Sequence, residues 1–293
     1  MTSADSSTPS SSAPTSAGTS SRTTARNASG ATPARPRDPA RTLAMLWGVG
    51  DRATRGPRPS RTAAEVADAA LALADAHGLD GLSMRRLAQS LGLGTMSVYT
   101  YVQNKDDLVD LVVDRAYAAM YRASHEVPGA TWQERLRAVG HENWTLLTEH
   151  PWLLDVDLAR PVLGPGETRK YDLELGALDG TGLDDVTVDA TVTLVVSTAA
   201  SAARRYREAE RLRSDAEQPD DAWWTENEDV LVAIGELSPY ERAARVGAAV
   251  GEAQAAAWSA TTDLEFGIDR VVAGVAAMVD ARADVQARAS RTS

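Results

Sequence analysis

The chain has 293 residues, a net charge of −11 and no cysteine, and is 43% hydrophobic and 24% charged. That composition excludes disulfides, thiolate metal sites and thiol catalysis, and fits a reducing compartment such as the cytoplasm. No uninterrupted apolar run reaches the ~18 residues of a membrane span. Few aromatics beside abundant Ala, Leu, Arg and Asp favour an all-α protein of about two domains. The charge is uneven: residues 1–105 hold 12 Arg/Lys against 7 Asp/Glu, and the remainder 18 against 34. Such a division fits a DNA-contacting end on an acidic body, or a basic tail on an acidic enzyme. Lys105 and Lys170 are the only lysines in an arginine-rich chain.

Residues 1–50 read as a disordered tail rich in Ser, Thr, Pro and Ala, too poor in apolar residues to offset its ordering entropy. Residues 51–61, "DRATRGPRPSR", form a basic arm, either an inert linker or a contact to phosphate or the minor groove. From Ser60 the spacing turns helical, with Val66, Ala70, Leu73 and Ala74 on one face and Gly78 as a stop. Ser83 caps a short helix over 84–90, Leu87 and Leu91 point inward, and Gly92 ends it. Thr95 is expected to cap a third helix over 96–102 with Val98 and Val102 inward. Asn104 starts a longer helix carrying Leu108, Leu111, Val112, Arg115 and Met120.

Further on, Thr131 and Glu134 form a capping box for a helix that Pro151 terminates. A shorter helix is predicted near 168–178. The run opening at Asp184 or Asp185, "VTVDATVTLVV", is β-branched, yet Val188, Val192, Val195 and Ala199 keep helical spacing, which predicts a helix to about Arg213. Helices follow in "AWWTENEDVLVAI" and after Ser238-Pro239. The last, 264–282, carries Leu264, Ile268, Val271, Val272, Val275, Met278 and Val279 on one stripe, and 285–293 reads as a second disordered tail. The long and terminal helices offer stripes for pairing with a second copy as a four-helix bundle.

Two short helices joined at Gly92 and packed on a longer first helix make a helix-turn-helix unit, whose third helix offers hydroxyls and apolar groups to base edges and phosphates. The segment "LDGLSMRRLAQSLGLGTMSVYTYVQNKDDLVDLVVD" resembles the N-terminal domain of the tetracycline-repressor (TetR) family of transcriptional regulators. "HPWL" at 150–153 and "FGIDRVVAGV" at 266–275 are similar to the ligand-binding half of the subgroup nearest the tetracycline repressor. The resemblance implies backbone and base contacts from Ser83 and Arg85, groove reading by Thr95, Met96, Ser97, Thr100 and Tyr101, and phosphate contacts from Tyr99 and Lys105. It implies 51–105 as the DNA-binding domain with its arm, 106–127 as a connecting helix, and 128–284 as an effector-binding and dimerisation domain. The expected partners are a double-stranded operator, a second copy and a small-molecule effector. No cofactor or metal ligand is carried over. The short side chains at Thr95 and Thr100 depart from the family's long base readers, so no operator sequence transfers.

Each feature also has a plainer reading. Arg85 and Lys105 can be solvated surface charges, and one of the two tyrosines can be core. His141, Glu142, Glu149 and His150 cluster without a recognised ligand spacing. Trp132, Trp144, Trp152, Trp223, Trp224 and Trp258 can fill core or line a ligand cavity, with Trp144 and Trp152, beside the "HPWL" turn, as the effector candidates. The chain lacks G-x-S-x-G, P-loop and Rossmann fingerprints. The competing function is an acidic helical enzyme or scaffold with an incidental helix-turn-helix.

Overall fold

A computed structural model describes residues 39–49, 61–122, 126–156, 161–215, 226–237, 239–254 and 259–292. The tail to residue 38, the arm at 51–60, His125, Ser238 and Trp223, Trp224 and Trp258 lie outside the described residues. Every regular element among those described is helical. The head and its leader comprise α1 (Pro39–Leu46), α2 (Ala63–Gly81), α3 (Met84–Leu91) and α4 (Thr95–Val98). Then come α5 (Lys105–Tyr117), α6 (Trp132–Glu149), a 3-10 turn (Pro151–Asp155), α7 (Pro165–Gly176) and α8 (Asp185–Asp215). The chain closes with α9 (Glu228–Leu237), α10 (Glu241–Gln254) and α11 (Ala260–Thr292).

The head forms as its spacing dictates. Thr62 and Glu65 close a capping box at the start of α2, and Val66, Ala70 and Ala74 bury one face. Gly78 adopts φ 64°, a conformation that disfavours any side chain, and turns the chain before Leu82 drops into the core. Leu87, Leu91, Val98, Val102, Leu108 and Val112 are buried in the same cluster. In the body, Thr131 and Glu134 make the expected capping box, and Pro151 turns α6 into the 3-10 turn. The β-branched run is helix, because Val192, Val195 and Ala199 all face the core at helical spacing. Helix α6 lies close against α8 and α11: a Cβ on Gly140 would sit 2.3 Å from Ile268 Cδ1.

Several expectations need correction. The tail does not extend to residue 50: α1 is helical, with Met45 packed on the core. Its "LAML" run supplies the apolar side chains. The connecting helix ends at Tyr117 rather than reaching 127, and is followed by turns in which Tyr121 takes φ 54°. Residues 285–292 continue α11. Their Ala, Arg and Gln favour helix after the apolar stripe has ended, and neither Gly nor Pro interrupts them. That stripe is also mostly spoken for, since Leu264, Ile268, Val272 and Val275 are buried within one subunit. Finally, α8 is long and apolar enough by composition to cross a membrane. Threonine and serine interrupt its apolar run, yet their near-neutral hydropathy leaves the average high. Its Val192, Val195, Ala199, Ala202 and Ala203 are core residues, which accounts for much of that apolarity.

Candidate functional site

The reading head is built from α2 to α5. The Ser83 hydroxyl accepts from the Arg86 backbone N–H at 3.3 Å, which starts α3. At its other end Gly92 takes φ 65°, and Leu93 N–H reaches the Ala88 carbonyl at 2.9 Å, a Schellman closure. Helix α4 is a single turn whose N-cap is Gly94, without a side-chain cap bond. Thr95 therefore begins the helix and does not cap it. Beyond Val98 the chain keeps turning through Tyr101 N–H to Val98 O (2.9 Å) and Val102 N–H to Val98 O (3.1 Å). The expected helix over 96–102 is thus one α-turn with a tightened continuation.

Val98 and Val102 anchor this element in the core, and most of the side chains around Val98 point outward. Met96 is 79% and Tyr99 40% exposed, and Thr95, Ser97 and Thr100 are exposed as well. The Thr100 hydroxyl donates to Ser97 O at 2.7 Å. Arg85 lies exposed on α3, and Lys105 is exposed at the first position of α5, beside the Asn104 cap that accepts from Asp107 N–H. Tyr101 departs from its expected role. Its hydroxyl donates to Arg61 O at 2.8 Å and accepts from Arg61 N–H at 3.3 Å. It pins the entry of α2 to the turn that follows α4, so its hydroxyl is used within the head and is not presented outward with Tyr99 and Thr100.

The effector candidates fare differently. Trp152 is 3% exposed, and its indole N–H donates to Asp75 Oδ1 at 2.8 Å. His150 Nδ1 meets the same oxygen at 2.6 Å. A carboxylate only accepts, so that nitrogen carries the proton. Trp152 is therefore a core residue joining the body's 3-10 turn to α2 of the head, and not a cavity wall. Trp144 is half-buried and stands edge-on to Tyr206, with ring centroids 5.5 Å apart. The suspected acid–histidine cluster also comes apart: His141 pairs with Glu265 on α11, far in sequence from the Asp75 partner of His150. Among the described residues no group of three or more His, Asp or Glu side chains converges as a metal site.

A polar cage that periodicity does not reveal lies between α5, α6 and α7. Glu174 is 1% exposed. One of its oxygens accepts from Asn143 Nδ2 (2.6 Å) and the Tyr121 hydroxyl (3.1 Å), and the other from Lys170 Nζ (2.7 Å). The Lys170 ammonium also lies 5.4 Å from the Tyr117 ring centre. Burial, with the negative charge of Glu167 and Glu174 at Tyr117 and of Glu174 at Tyr121, pushes both hydroxyls far above the usual phenol range, so both stay protonated. The i,i+4 spacing of Lys170 and Glu174 is visible in the sequence, but there it looks like any exposed helix pair.

Comparison with known proteins bears directly on this architecture. Residues 66–112 match the model for bacterial regulatory proteins of the tetR family, and residues 126–279 match the tetracyclin repressor-like C-terminal domain. The chain is 41% identical over 177 residues to the HTH-type transcriptional repressor DrrR1 of Streptomyces coeruleorubidus, covering 59% of this chain and 65% of that protein. The match thus spans just under two thirds of that relative's length. In fold, it is similar to apo ActR from Streptomyces coelicolor, with a TM-score of 0.58 at 24% identity, over 78% of this chain and 100% of that one. ActR in complex with actinorhodin aligns at a TM-score of 0.55 and 25% identity, covering 76% and 99%. With one matched domain forming the helix-turn-helix and the other spanning more than half of the sequence, this chain belongs to the tetR family of bacterial regulatory proteins.

Proposed function

We propose that the protein is a homodimeric, sequence-specific DNA-binding repressor, released from its operator by a small-molecule effector and acting without catalysis in the cytoplasm. The observation that carries this reading is the outward set Thr95, Met96, Ser97, Tyr99 and Thr100, held in place by the buried anchors Val98 and Val102. Met96 and Tyr99 add an apolar group and a phenol hydroxyl to the hydroxyls of Thr95, Ser97 and Thr100, the side chains that meet base edges and phosphates. Arg85 and Lys105 flank it with the positive charge that phosphates attract. The repressor named among its relatives supports the sign of regulation, and a relative holding actinorhodin supports a small-molecule effector.

Dimerisation supplies the second half-site. Val186 and Leu194 on α8 and Met278 on α11 are exposed around a shallow apolar groove that includes Ala190 and Gly274. Two such faces packed together would form a four-helix bundle and set the reading heads about one helical turn of DNA apart, roughly 34 Å. A gel shift on the DNA upstream of its own gene tests the reading. Arg85→Ala, Tyr99→Phe and Lys105→Ala are each expected to weaken binding, by roughly 1–3 kcal/mol where a base contact is lost. Lys105→Ala should also lower the salt slope by about one unit. Unchanged footprints in all three variants would remove the assignment.

A further inference from the structure

Lys170 is one of two lysines in a chain whose other basic side chains are arginines, and it occupies the most enclosed charged site described. Its partner Glu174 is fixed by three donors from three elements: Asn143 on α6, Tyr121 beyond α5, and Lys170 itself on α7. Of the pair, the lysine is the more exposed member. Its side chain is 10% exposed, against 2% for Glu174. The carboxylate, the aromatic face of Tyr117 and the hydrogen bonds that hold them make a receptor for a compact ammonium, already filled by the protein's own. An arginine would not fit the same chemistry, because a planar fork wants two acceptors in line.

We propose that this cage is the effector's recognition subsite, and that the effector is an apolar molecule bearing a protonated amine, which replaces the Lys170 ammonium on Glu174 and Tyr117. The proposal rests on the effector-released reading above and names the ligand class for it. Exchanging one ammonium for another leaves the buried carboxylate paired throughout, so entry does not require exposing a bare charge. A neutral molecule would displace Lys170 without compensating Glu174, and an anion would meet Glu174 directly. The ligand's apolar body, larger than the lysine stem, then separates α7 from α5. Tyr117 and Tyr121 lie at one end of α5, and Asn104 and Lys105 lie at the other, directly behind the recognition turn. Arg169 reinforces the connection, donating from α7 to the carbonyls of Met120 (2.9 Å) and Tyr121 (3.1 Å).

The test empties the cage and refills it. Lys170→Ala in the full chain should lower the unfolding temperature. Added n-butylammonium should restore it in a saturable manner, while equal concentrations of n-butanol or potassium chloride should not. The double variant Lys170→Ala/Glu174→Gln, which removes both charges, should lose that response. If Lys170→Ala does not fold, the same additives are scored by the yield of folded protein on refolding. With the unaltered protein, 2-(1-naphthyl)ethylammonium should quench tryptophan emission and weaken operator binding at least tenfold, whereas its N-acetyl derivative should not. Rescue by butanol as strong as by the amine, no rescue by either, or equal DNA release by the neutral derivative would each overturn the proposal. Failure of the unaltered protein to bind operator would instead count against the regulatory reading, and the rescue arm distinguishes the two.

Discussion

Removing the Asp75 carboxylate should loosen the body from the head, by an amount that can be worked from its contacts. One oxygen, Oδ1, receives both the Trp152 indole N–H at 2.8 Å and His150 Nδ1 at 2.6 Å. Asp75→Ala leaves both donors without an acceptor. Trp152 is 3% exposed, so its N–H cannot turn to bulk water. An unsatisfied buried donor costs about 1–3 kcal/mol. His150 and Asp75 keep 15% and 35% side-chain exposure, and solvent therefore recovers part of the second bond. The expected total is roughly 1–3 kcal/mol, or about 2–5 °C in melting temperature for a chain of this size. Asp75→Asn keeps an oxygen in the same place and should cost less than half as much. Both variants should be followed by tryptophan emission on heating and by operator titration with and without a releasing ligand. Asp75→Ala is expected to shrink the ligand's effect on DNA affinity more than it changes the affinity itself. Equal losses in the two variants would mean that charge, not a shared acceptor, joins these elements, and the reasoning would fail.

Three further outcomes are expected. Gly166→Ala should destabilise by about 1–3 kcal/mol or more through overpacking, because its Cβ would lie 2.1 Å from the Asp114 carbonyl oxygen. Gly247→Ala, with nothing within 4 Å, should gain a little from helix propensity, and a denaturant midpoint that moves the same way in both would refute the close-approach account. Leu194→Asp should give monomers in sedimentation with weak operator binding, since Leu194 is 53% exposed on the proposed interface; a surviving dimer places the interface elsewhere. Burial holds the Asp114 and Glu167 carboxyls above their usual range. Each then binds its proton more tightly when folded, so their contribution to stability is greatest below the ordinary carboxylate value and is lost as pH rises through the raised one. Asp114→Asn keeps an acceptor for the Glu167 N–H (2.9 Å) and should flatten that part of the stability–pH curve; parallel curves would sink the idea.

The outward surface of α3 and α4 was visible in the sequence because local rules govern it. Ser83 and Asn104 are caps, Gly92 is a left-handed stop, and Val98 and Val102 are anchors at helical spacing, all consequences of nearby residues. The same rules place Leu87 inward and Arg85 outward. They fail where partners come from far along the chain. Tyr101 looks like a groove reader until Arg61, forty residues earlier, takes its hydroxyl. Trp152 looks like a cavity wall until Asp75, seventy-seven residues earlier, takes its indole. Lys170 and Glu174 look like a surface pair, because only the packing of α6 and the turn beyond α5 shows that they are buried. Likewise, Val275 on the α11 stripe pairs with its own subunit's core, leaving Met278 and the α8 side chains for a partner.

These long-range contacts decide which movements the head can feel. The body meets the head where Asp75 takes the Trp152 and His150 donors, and where Asp114 on α5 accepts from the start of α7. Helix α1 adds a strap, with the Thr42 hydroxyl on Asp107 (2.8 Å) and the Trp47 indole N–H on Leu163 O (2.9 Å). Two of these three connections bear on α5, whose far end carries Tyr117 and whose near end carries the Asn104 cap behind the recognition turn. Helix α5 cannot yield separately at each contact, because Leu108, Val112, Val113 and Ala116 are fully buried along it. A well-packed helix moves as a unit or stays put. A ligand that favours the displaced position of α5 at Tyr117 must therefore displace Lys105 as well. Its differential affinity for the two positions sets how far operator binding can fall; shifting a 1:99 balance to 99:1 needs about 5.5 kcal/mol. One ammonium exchanged for another contributes little of that difference, since Glu174 stays paired in both states. On the proposed exchange, the specificity for charge and the force for release would thus come from different parts of the ligand: the amine would admit it to the cage, and its apolar bulk would move the helix.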